Sequence, residues 1–189
     1  MKLLPIVTLA LALAGCTTAS YYEPESSGKT YRGGSACSTT VAYQATLDGT
    51  VRLFVEATPH REGVGITIAF HVPRGQTIQL MSPAFGAQSE LPNESMHMTA
   101  SVITSGSRGL RIPITQHLPT DLLTAEGRYE HLAVPYGPDD IFIVELERRG
   151  TPPPRFELLF PSTRINGRVV NPPSVSLILR SESRSMCVQ

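Results

Sequence analysis

The side chains best suited to chemistry in this sequence are five histidines, three cysteines, five methionines and a few acidic pairs. His60, His71, His97, His117 and His131 show neither H-x-H nor H-x-x-x-H spacing, which would bring two imidazoles to one metal. Met96-His97-Met98 combines thioethers with an imidazole, a set that suits Cu(I). On a regular strand Met96 and Met98 share one face and His97 takes the other. Core methionines beside an exposed histidine are therefore expected, and a copper site would need an irregular loop, which nearby Pro92 and Asn93 allow. Asp139-Asp140 follows the turn Pro135-Tyr136-Gly137-Pro138 and offers carboxylates to calcium, or simply acidic turn residues. Met96, His97, Met98, Asp139 and Asp140 are thus the candidate metal ligands, and no cofactor is called for.

Nucleophilic catalysis needs a nucleophile on a strained turn, a base and an orienting acid. There is no G-x-S-x-G elbow and no phosphate-binding glycine loop. Ser105-Gly106-Ser107-Arg108-Gly109 reads as a connection between strands, and no catalytic residue is assigned. A hydrolase acting on cell-wall glycan or peptide would require a cleft where a Ser or carboxylate meets a His.

The N-terminus explains one cysteine. Lys2 precedes an apolar run, Leu3 to Ala14, that is shorter than the ~20 residues of a membrane-spanning helix and suits a signal peptide. It ends in Leu13-Ala14-Gly15-Cys16, which resembles the lipobox of bacterial lipoproteins at all four positions. The resemblance covers the targeting segment alone. It implies removal of residues 1–15, acylation of Cys16, and firm anchoring by several acyl chains. Thr at position 17, where Asp favours inner-membrane retention, implies an outer-membrane protein facing the periplasm. Cys37 and Cys187 remain; an even pair in an exported protein is usually a disulfide. Free thiols, inert or metal-binding, are the alternative, although no CxxC spacing supports a redox pair.

Residues 16–36 lack an aliphatic run and are rich in Ser, Thr, Gly and Glu. They read as a flexible tether spanning about 25 Å, carrying Tyr21, Tyr22 and Tyr31 at the membrane interface, against a partner or in solvent. Residues 37–189 read as one all-β domain. Apolar residues alternate from Val41 to Leu47, Val51 to Ala57 and Val64 to Val72. Asp48-Gly49 and Asn166-Gly167 fit type I′ hairpin turns. Further strands are expected at Thr77–Met81, Met96–Val102, Ile141–Leu146, Phe156–Phe160 and Val175–Leu179. Thr120 could cap one short helix over Asp121–Glu126. This pattern predicts an antiparallel β-sandwich, immunoglobulin-like, of seven to nine strands.

Composition narrows the role. The 189 residues carry 16 basic and 16 acidic side chains, so the basic surplus of a nucleic-acid protein is missing. Lys2 and Lys29 are the only lysines. The arginine excess either reflects genome composition or forms a patch at Arg148, Arg149 and Arg155. Phe54, Leu159 and Ile178 fall opposite the main apolar stripes and would mark a partner surface if exposed together. The expected protein is a non-enzymatic outer-membrane lipoprotein with a structural or protein-interaction role, its partners being membrane lipid and an envelope protein. The alternative is a small-ligand or metal-binding envelope protein, for copper or calcium.

Overall fold

A computed structural model describes residues 17–25, 28–33, 40–89, 95–107, 112–127 and 139–184. Cys16, Cys37, Cys187, His131 and the leader 1–15 lie outside them, as do the side chains of Tyr31, Met96 and His97. The described residues form sixteen strands and no helix. They are β1 (Thr17–Pro24), β2 (Lys29–Gly33), β3 (Thr40–Leu47), β4 (Val51–His60) and β5 (Gly63–Val72). Next come β6 (Thr77–Leu80), β7 (Ala84–Ser89), β8 (Ser95–Thr99), β9 (Ile103–Ser107), β10 (Ile112–His117) and β11 (Leu123–Thr124). The last are β12 (Asp140–Arg149), β13 (Arg155–Leu159), β14 (Thr163–Ile165), β15 (Arg168–Val170) and β16 (Val175–Arg184).

All the pairings are antiparallel, and the class is the all-β, sandwich-like one that the alternation predicts. One sheet has the order β1-β16-β13-β7-β8, a second β10-β9-β12-β5-β4-β3-β2, and a small third β11-β6-β14-β15. Period two is visible in β5, where Val64, Ile66, Ile68, Phe70 and Val72 are all buried. They join Tyr22, Phe156 and Leu177 of the first sheet and Ile78, Leu80 and Ile165 of the third in a single core. Removing this apolar surface from water, at ~25 cal/mol per Å², is what holds the sheets together. Both expected hairpin turns form: Asp48 and Gly49 have φ of 45° and 73°, Asn166 and Gly167 of 49° and 83°.

Three expectations are corrected. The described residues form sixteen strands in three sheets, where seven to nine strands were expected, because short strands such as β11 and β14 depend on pairing with the distant strand β6. Within 16–36, residues Thr17–Pro24 and Lys29–Gly33 are strands, not a flexible coil. β1 pairs along its whole length with β16, from Thr17 opposite Arg184 to Pro24 opposite Leu177, and Tyr21 and Tyr22 are buried. The partner strand is far away in sequence, and the buried surface is aromatic, not aliphatic. Residues Asp121–Glu126 are not helical. The Asp121 carboxylate accepts the Leu118 amide at 2.8 Å and closes a turn, after which Leu123 and Ala125 point inward with period two.

Strand directions define two ends. At the first lie the Arg61-Glu62 turn and the Gly150–Pro154 loop, which carries β12 into β13, and the β1–β16 pair runs on past that loop from Tyr22 and Leu179 to Thr17 and Arg184. Backbone bonds Gly150 N–H to Glu62 O and Leu179 N–H to Pro154 O fasten that loop to both large sheets. At the other end lie the Asp48-Gly49 turn, Asp139 and the small sheet, held there by Arg168 to Asp48 at 3.2 Å. The ten residues of β12 set the ends about 30 Å apart.

Candidate functional site

The outward face of the second sheet carries polar side chains at the positions that alternation leaves free. Arg52 on β4 and His71 on β5 are opposite each other in the ladder, and Phe54 follows on β4. Arg52 Nη2 donates to Asp139 Oδ2 at 2.7 Å, and its guanidinium lies 5.9 Å from the Phe54 ring centre. Phe54 and His71 rings sit 4.5 Å apart. His71 is on the outward face of β5 and is half-buried there. Its Nδ1 is buried without a hydrogen-bond partner. Burial first, then the Arg52 charge, lowers its pKa to about 4, with Asp139 opposing.

Asp139 is therefore the anionic partner of Arg52. Asp140 accepts the Glu126 amide at 2.8 Å and is 2% exposed. The two carboxylates serve separate contacts and do not converge on a shared site. Met96, His97 and Met98 occupy an ordinary edge strand, opposite Ala87, Gly86 and Phe85 in the ladder. The irregular loop that a copper site would need is absent there, and Met98 is in the core. Among the described residues no group of three His, Cys, Asp or Glu is placed to hold a metal ion.

Farther along the same outward face an open trough of about 610 Å³ runs over β5 and β12. Thr58, Thr67, Thr99, Ser101 and Thr104 give it hydroxyls, Glu145 and Glu147 carboxylates, and Ile143 an apolar floor. Glu56 is level with Thr67 and Glu145 in the ladder, and burial raises its pKa.

One pairing escaped the sequence reading. Ser105 belongs to β9, not to a connecting loop, and its Oγ is 3.1 Å from His117 Nε2 on the paired strand β10. A register shift between Ile112 and Thr115 sets this alignment, and no spacing motif announces it. His117 borders a cavity of about 420 Å³ with Asp121 and Glu126. The geometry lets the imidazole exchange a proton with the hydroxyl. Ser105, however, is 2% exposed and does not line that cavity, and the Asp121 carboxylate is turned to the Leu118 amide. The pair reads as a hydrogen bond that satisfies a buried hydroxyl.

The expected partner surface is also redrawn. Phe54, Leu159 and Ile178 are each partly covered, Leu159 by packing over Gly86. Among the described residues the exposed large apolar side chains are Met81, Ile114, Leu118, Leu122 and Val169. On the small sheet, Arg164 is opposite Gln79 on one side and Val169 on the other, with Met81 two residues beyond Gln79, just past the end of β6. Arg164 donates to Gln79 Oε1 at 2.8 Å, while Gln79 Nε2 donates to Thr120 O at 2.8 Å. A polar centre is thereby set among Met81, Val169 and the Leu118–Leu122 turn.

No family model, no curated protein and no solved structure matches the chain.

Proposed function

We propose that this protein is a lipid-anchored envelope protein of the bacterial outer membrane, facing the periplasm, which acts without catalysis as an interaction module. The Leu13-Ala14-Gly15-Cys16 lipobox supports the anchor. The observation that carries the interaction role is the outward face of the small sheet. Leu122 and Val169 are each 59% exposed there, around the Gln79–Arg164 hydrogen bond, at the end of the domain opposite Thr17. An apolar rim around a fixed polar centre is the composition of a protein-binding patch. Its partner is an envelope protein offering an apolar surface with an acceptor for the Arg164 guanidinium.

Photocrosslinking residues introduced at Leu122 and Val169 test this in living cells. A discrete adduct from both positions, absent with the probe at Thr151, is the expected result. Uniform absence of adducts from the small-sheet face counts against the interaction role.

A second reading is a small-ligand protein, favoured by the trough over β5 and β12 with its four threonines and two glutamates. The metal version of this reading is tested by elemental analysis of protein purified without added metal. Lack of stoichiometric copper or calcium removes it.

A further inference from the structure

Gly65 stands inside β5 without a backbone or packing reason to be glycine. Its φ is not in the left-handed region, and a Cβ built there would meet nothing within 4 Å. A glycine inside a strand weakens it and commonly marks a place where a ligand or another chain approaches the backbone closely. Gly65 lies on the floor of the 610 Å³ trough.

The ladder orders the groups around it. Gly65 lies between Thr58 on β4 and Glu147 on β12. Thr67, two residues along β5, lies between Glu56 and Glu145. By the two-residue alternation these positions share the outward face. Glu145 and Glu147 are therefore about 7 Å apart along β12, and Glu56 is about 10 Å from Glu145, two strand spacings away. One ion cannot bridge carboxylates so placed, in keeping with the lack of a three-ligand metal group among the described residues.

These carboxylates are short of counter-charges. Among the described residues Glu56 and Glu145 make no hydrogen bond or ion pair. Glu147 has only Arg149 Nε, at 3.9 Å. Burial raises the Glu56 pKa, the response of a carboxyl group drawn partly out of water with no cation beside it.

We propose that the trough holds a linear polyamine lying over Gly65, its ammonium groups donating to Glu145 and Glu147 and to the Thr58 and Thr67 hydroxyls. The proposal rests on the small-ligand reading of the trough and gives that ligand a chemical class. Spacing does the selecting. Two positive charges on a short aliphatic spacer match two carboxylates about 7 Å apart, whereas a single ammonium meets only one of them. The spacer crosses the bare Gly65 backbone, where a larger side chain would stand in its way, and Ile143 offers it an apolar contact. A longer polyamine extends a further ammonium toward Glu56.

Calorimetric titration of the full-length protein in detergent with putrescine, cadaverine and spermidine, beside n-butylamine, tests this at physiological salt. Saturable binding of a polyamine, roughly tenfold or more tighter than n-butylamine, is expected. Gly65→Val has ordinary strand φ and open space for its side chain, so it should unfold at or above the wild-type temperature and lose the binding. Glu145→Gln, at an exposed position, should weaken binding by roughly tenfold without touching the backbone. Polyamine binding no tighter than that of n-butylamine, or unchanged in both variants, overturns the proposal. Amide chemical-shift changes at Thr58 and Thr67 with maltotriose but not with spermidine overturn the polyamine and leave the small-ligand reading standing. No change with either probe overturns both.

Discussion

The Tyr22 hydroxyl donates to the Pro153 carbonyl at 2.7 Å, joining the first described strand to a loop 131 residues away. The ring meets Phe156 edge-on at 5.1 Å, and the residue is fully buried. This contact makes β1 part of the fold. Tyr22→Phe should lower stability by about 1–3 kcal/mol, because the Pro153 carbonyl loses its donor. Tyr22→Ala should cost about 3–5 kcal/mol through the cavity it leaves. Urea unfolding of both variants checks this; wild-type stability in Tyr22→Ala would mean that β1 is dispensable.

The same phenol gives an alkaline signature. Burial pushes its pKa up to about 12, against an ordinary value of 10.0, with the Arg148 charge opposing. Between those values the unfolded chain releases the proton and the folded chain keeps it. Stability should therefore fall as pH rises from about 10 to about 12. Tyr22→Phe should lose this component of the decline, which unfolding curves at graded alkaline pH would resolve.

His71 acts at the acid end. Its folded pKa is lowered to about 4 from 6.5 by burial and by Arg52. On acidification the unfolded chain takes the proton first, so the stability contribution present above pH 6.5 is lost as pH falls toward 4. The loss should be on the order of 1–3 kcal/mol. His71→Leu, which keeps an apolar contact with Phe54, should flatten that limb. Parallel acid limbs in the two proteins would assign the decline to other groups.

Gly63 has a geometric role at the Arg61-Glu62 turn. Its φ is +153°, and a Cβ there would run into the Arg148 carbonyl oxygen. Gly63→Ala should destabilise the domain by on the order of 3 kcal/mol, from backbone strain and overpacking together. Thermal unfolding reads this directly, with Gly75→Ala as comparison: it has positive φ but no neighbour within 4 Å.

Cys37 and Cys187 lie outside the described residues, and their pairing stands as a proposal. Its support is topological: β3 begins at Thr40 and β16 ends at Arg184, both at the Thr17 end of the molecule. Three peptide units separate each strand end from its cysteine. Intact-mass analysis should show both thiols resistant to alkylation until reduction. Ready labelling of the unreduced protein would contradict the bond.

What was legible in the sequence follows from the range of the forces involved. β3, β4, β5 and β12 have strong local alternation or apolar runs, and the two hairpin turns carry residues that tolerate positive φ. These features are written within ten residues. β1 was not legible, because its strand character depends on β16 and on a core pocket for Tyr22. The helix expected over residues 121–126 fails for a related reason: a Thr120 cap is local, but pairing of Leu123 with Ile78 is not. The side-chain pairings Arg52–Asp139 and Ser105–His117 depend on register across separate strands, which no spacing rule supplies. The exposed face around Gln79 and Arg164 arises only when β6 and β14 meet, 85 residues apart.

The central claim is that Cys16 anchors this domain to the outer membrane. Intact-mass analysis and membrane fractionation of the native protein beside Cys16→Ala test it most directly. The account predicts a native protein that begins at Cys16 with added acyl mass and sediments with the outer membrane. It predicts that Cys16→Ala is soluble in the periplasm or retained as uncleaved precursor. A native chain without acyl mass, or a Cys16→Ala protein that still fractionates with the outer membrane in processed form, would contradict it.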